Sequence, residues 1–87
     1  MTFKKWIYTL VEEKGLMAHD FTVTSNGLTH FIEMEFLLDF LSGMDKANQK
    51  QIKDILVKID FMNGDILHFL NHCAEGYIKT SEEMGAF

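Results

Sequence analysis

The segment GDILHFLNHCAEG, residues 64–76, gathers two histidines, one cysteine and two acids into thirteen positions. Imidazole, thiolate and carboxylate are the groups that hold zinc or nickel and that activate nucleophiles. Spacing decides whether they can act together. On a helix, at about 100° per residue, His68 and His72 fall opposite Ile66, Phe69, Leu70, Cys73 and Tyr77. The thiol of Cys73 therefore turns toward an apolar interior while both imidazoles turn toward solvent. His68, His72 and Glu75 share a face at i, i+4 and i+7, which can seat a surface Zn2+ or Ni2+. A functional site would need a further ligand from elsewhere, and without a glutamate beside the first histidine the pair is not the zincin pattern. The expectation is a solvated helix face with no metal and no cofactor.

The other reactive residues read in the same way. Cys73 lies late in its helix on the apolar stripe, without the neighbouring base or helix N-terminus that would activate a thiol. Asp60, Asn63, Gly64 and Asp65 suggest a calcium loop, but the third position from Asp60 is Met62 and the glycine comes one place early. Helix capping explains Asn63, Gly64 and Asp65 instead. His30 is expected to play a structural role. Glu35 and Asp39 fall on the polar side of a helix, beyond Glu33, and solvation accounts for them. Lys46, Lys50 and Lys53, interleaved with Asp54, read as an exposed face rather than a phosphate track. No glycine-rich phosphate loop and no Ser/His/Asp order is present. No catalytic residue is assigned, and no enzyme is expected.

Composition narrows the partners. Thirteen acids oppose eight bases for a net charge of −5, and every base is a lysine. Arginine is the preferred fork for phosphate and guanine edges, so its absence counts against nucleic-acid binding. A single cysteine excludes an internal disulfide framework. The N-terminal MTFKKWIYTLVEEKG is broken by Glu12, Glu13 and Lys14 and has no continuous signal-peptide core. No run approaches the roughly 18 apolar residues of a membrane span. A cytoplasmic protein without a membrane segment is expected.

The elements that would position these groups follow from periodicity. Thr2 caps a helix over about 3–14 carrying Phe3, Trp6, Ile7, Leu10 and Val11, and Gly15 ends it with Leu16 folding back on Val11. In DFTVTSNGLTHFI the period changes to two, and Asn26-Gly27 is the strongest short signal for a two-residue hairpin turn. That turn pairs Phe21 with Ile32, Val23 with His30 and Ser25 with Leu28, leaving Thr22, Thr24 and Thr29 on the other face. Met34, Leu37, Leu38, Leu41 and Met44 then form a helical stripe, closed by Ser42-Gly43. Phe36 and Phe40 beside it widen the apolar arc well beyond the usual ~100°. Asp45 caps a third helix through Ile52, Ile55, Leu56 and Ile59, read to about Phe61. Asn63-Gly64 breaks the chain and Asp65 caps a fourth helix.

The expected fold is α+β and mostly helical: an N-terminal helix, one β-hairpin, then three helices, in a single domain over 1–87 with 80–87 a frayed tail. At 47% hydrophobic residues, with eight Phe, the chain has apolar surface to spare for a body that buries only about 60–65% of its unfolded area. The functional expectation is a small non-enzymatic interaction protein, a homodimer that acts as an adaptor or an inhibitor of a larger machine. Trp6, Phe36 and Phe40 are its interface candidates. The alternatives are a small-ligand or metal-binding module using His30, His68 and His72, and an acidic mimic of nucleic acid.

Overall fold

The computed structural model describes residues 1–59 and 63–85. Helix α1 spans Phe3–Glu13, strands β1 (Asp20–Ser25) and β2 (Leu28–Glu33) form the hairpin, and helices α2 (Met34–Ser42), α3 (Lys46–Lys58) and α4 (Asn63–Glu83) follow. The order of helix, hairpin and three helices is the expected one.

Capping chemistry sets the ends of α1. Thr2 accepts a hydrogen bond from the Lys5 backbone N–H at 3.1 Å, satisfying one orphan donor of the first turn. At the other end Gly15 takes φ +70°, the left-handed conformation that a Cβ resists. Its N–H donates to the Glu12 carbonyl, and the Leu16 N–H donates to the Val11 carbonyl. That pair of bonds is a Schellman motif, and the Leu16 and Val11 side chains are both buried as its apolar contact.

The hairpin is antiparallel, and its register runs Phe21–Ile32, Val23–His30 and Ser25–Leu28 as the turn dictates. Asn26 and Gly27 both have positive φ, 52° and 77°, the twist that suits a two-residue connection. Phe21, Val23 and Ile32 are buried on one face, while Thr22, Thr24 and Thr29 are exposed on the other. A bond from the Met34 N–H to the His19 carbonyl ties the start of α2 to the foot of β1.

Helix α2 is the middle of the molecule. It packs against α1, α4 and β2, and Met34, Leu37, Leu38 and Leu41 are fully buried. Asp45 caps α3 by accepting from the Asn48 N–H at 2.8 Å. The Gln49 amide donates to the Ser42 and Met44 carbonyls at 3.0 Å each, filling acceptors that the end of α2 leaves open.

Three element ends depart from expectation. Helix α3 stops at Lys58, with Ile59 extended at ψ 129°, rather than continuing toward Phe61, which lies outside the described residues together with Asp60 and Met62. Helix α4 already includes Asn63 and Gly64, so Asp65 stands in the first turn rather than capping it. A first-turn N–H has no intrahelical partner, so glycine disturbs little there, and the Asp65 carboxylate still meets the positive end of the helix dipole. Within the 80–87 tail, residues 80–83 continue α4 to Glu83 and Gly85 at φ +73° donates to the Glu82 carbonyl as the C-terminal stop, while residues 86 and 87 lie outside the described residues. The buried seam of α4 is Ile66, Leu70, Ala74 and Ile78, with Phe69, Cys73 and Tyr77 partly buried beside it.

Candidate functional site

Among the described residues, the groups with reactive chemistry are spread over β2, α2 and α4. His68, His72 and Glu75 are exposed along α4, and among the described residues no group of three His, Cys, Asp or Glu is placed to hold a metal ion. Burial pushes the Cys73 thiol up to about 11, which keeps it protonated and unreactive at neutral pH. Its groove of about 400 Å3 is lined by Phe40, Met44, Ile52 and Phe69, together with His72. His30 is partly buried on β2.

The acids and lysines have local partners. The Tyr8 hydroxyl donates to Asp39 Oδ1 at 2.5 Å, and Lys4 lies 3.6 Å from the same oxygen. Desolvation, then the hydrogen bond to Asp39 and the nearby carboxylate charges, raise the Tyr8 phenol to about 12. This cluster binds α1 to α2. Lys50 pairs with Asp54 at 3.0 Å along α3, and the Lys53 ammonium sits 5.3 Å from the Trp6 ring centroid. The lysine face is thus engaged in part by its own chain.

The three aromatic interface candidates separate. Phe40 packs edge-on against Tyr77, ring centroids 4.9 Å apart, and is partly buried within the chain. Trp6 is partly buried between Phe3, 6.1 Å away, and the Lys53 ammonium. Phe36 alone turns outward, 60% exposed. The wide apolar arc of α2 therefore has two destinations, with Phe40 facing inward and Phe36 facing solvent. Phe31, which the sequence reading passed over, is more exposed still at 76%. The hairpin register already held the signal, because Phe31 pairs with Thr22 and so must share the solvent face.

Phe31 and Phe36 line one groove of about 490 Å3 with Thr29, His30, Ile32 and Tyr77. Residues 29–32 alternate between the two faces of the sheet, so a groove touching all four runs along the free edge of β2. The two edges of the hairpin are treated differently. β1 lies against α4, and its side is walled by Glu75, Lys79, Glu82 and Glu83. Glu82 also clamps the turn, accepting from Ser25 Oγ at 2.6 Å and from the Asn26 side-chain amide. Charges of this kind normally protect a strand edge from stray pairing. β2 carries LTHFIE, with no lysine and no proline, and nothing among the described residues pairs with its outer side.

Among known proteins, the chain matches no family model, no curated protein and no solved structure.

Proposed function

We propose that this protein is a non-enzymatic, cytoplasmic interaction protein that works as a homodimer, in the manner of a small adaptor or an inhibitor of a larger assembly. The carrying observation is the unguarded β2 edge with Phe31 and Phe36 exposed beside it. Contiguous apolar surface rimmed by polar residues marks interaction sites in proteins of this kind. His72 and Cys73 line one groove, but no hydrogen bond joins them among the described residues, and burial holds the thiol protonated. This supports a non-catalytic role, since acid–base or nucleophilic chemistry needs such groups within hydrogen-bond reach. Engagement of Lys50 and Lys53 by Asp54 and Trp6, in a chain of net charge −5, argues against a nucleic-acid partner. Phe36 is retained as an interface residue and Phe31 joins it. Trp6 and Phe40 are assigned to packing within the chain.

Light scattering over a concentration series tests the reading. The expected result is twice the chain mass, shifting toward one chain in Phe36→Glu with helical content unchanged. A monomer at the highest attainable concentration would reject the homodimer.

A further inference from the structure

Resting on that homodimer reading, the geometry points to the way the copies join: β2 pairs antiparallel with β2 of a second copy, merging two hairpins into one four-stranded sheet. The turn fixes which backbone groups are available. In a two-residue hairpin the flanking pair, Ser25 and Leu28, exchanges hydrogen bonds across the strands, and alternate residues follow suit. Leu28, His30 and Ile32 thus spend their N–H and C=O groups on β1. Those of Thr29 and Phe31 point outward and meet no backbone partner among the described residues, while Glu33, the N-cap of α2, gives its carbonyl to the first turn of that helix and keeps an outward N–H.

A twofold axis through Phe31 satisfies this outward set. Phe31 then faces Phe31 of the second copy, and Thr29 faces the second copy's Glu33. No like charges meet, because Glu33 is the one charged residue of β2 within this span and its opposite number is a threonine. The same operation brings Leu28, 59% exposed, to the end of the second copy's β2, where the chain turns into α2 at the buried Met34. Exposed apolar side chains on both faces of the sheet flank this contact, Leu28 on the face of Val23 and Ile32 and Phe31 on the solvent face, with Phe36 beside Phe31. At ~200 Å2 per large side chain, the exposure of Leu28, Phe31 and Phe36 amounts to on the order of 400 Å2 per copy. A strand edge of six residues, about 20 Å long, adds backbone to this, toward the roughly 600–1,000 Å2 per partner of a stable interface. A foreign basic peptide is the less suitable occupant, because the groove lining contains no acid to receive it.

Thr29→Pro tests the pairing. Proline removes one outward N–H, and an edge position facing away from β1 tolerates it. The probe is the wild-type protein and this variant, compared by light scattering and by amide hydrogen exchange at several concentrations. The expected result is a wild-type dimer in which the Thr29, Phe31 and Glu33 amides slow as concentration rises, with Thr29→Pro monomeric and its circular dichroism unchanged. A wild-type dimer whose Thr29 and Phe31 amides exchange fast at every concentration overturns the strand pairing and leaves the homodimer standing. A wild-type monomer overturns both. If Thr29→Pro fails to fold, the wild-type exchange pattern alone decides.

Discussion

Replacing Glu82 with Ala removes the carboxylate that holds the hairpin turn to the end of α4. It accepts from Ser25 Oγ at 2.6 Å and from the Asn26 amide, more than fifty residues away in sequence. Hydrogen bonds to a charged acceptor contribute about 1.5–3 kcal/mol each when shielded. Here the Ser25 bond is part-buried and the Asn26 bond exposed, so screening reduces the pair to about 1–2 kcal/mol together. For a domain of this size that is a fall in Tm of roughly 5–15 °C. Asn26 holds positive φ, a conformation that glycine accepts, so Asn26→Gly deletes the partner while keeping the turn. A double-mutant cycle of Glu82→Ala with Asn26→Gly, read by thermal melting, then isolates the clamp from changes in turn entropy. An unchanged Tm in Glu82→Ala would refute the idea that the C-terminal turn of α4 braces the hairpin, and additive effects in the cycle would strike out the Asn26 bond and leave only the Ser25 bond as the brace.

Gly27→Val is expected to destabilise the protein by on the order of 1–3 kcal/mol in chemical denaturation, since φ is +77° and no neighbour lies within 4 Å of the new Cβ, so strain alone acts. Native Cys73 should react with iodoacetamide at pH 8 about one hundred times more slowly than the unfolded chain, because burial raises the thiol from 9.0 to about 11. A raised folded-state pKa favours the native state below pH 9 and loses that contribution as pH climbs through 11, so comparable alkylation rates would contradict the buried thiol. Replacing His68 and His72 together by Gln should leave Tm unchanged with or without added zinc, and stoichiometric zinc in untagged protein, lost in the double variant, would overturn the solvated-face reading.

The parts legible in the sequence were those governed by local chemistry. Asn26-Gly27 admits one connection length, and the period-two pattern on either side then leaves one register that buries Phe21, Val23 and Ile32. Thr2, Gly15 and Asp45 act within a few residues of themselves, so their capping roles could be read directly. What the sequence hid depends on distant partners. Residues 80–83 show no apolar period, yet Glu82 is held by Ser25 and Asn26. Apolar periodicity also reports contact rather than backbone conformation. Ile59 stays partly buried although it has left the helix, which is why the third helix looked longer than it is. Phe36 and Phe40 were indistinguishable by pattern, because their separation turns on Tyr77, a residue of another helix.

The pairing of β2 with its own copy is tested most directly by isotope-filtered NMR on an equal mixture of labelled and unlabelled protein. Contacts that cross between copies should join Phe31 to Phe31 and Thr29 to Glu33, with Leu28 approaching the end of the second copy's β2. Intermolecular contacts that avoid residues 28–36, for example ones confined to the exposed Ile55 and Val57 of α3, would contradict the shared sheet.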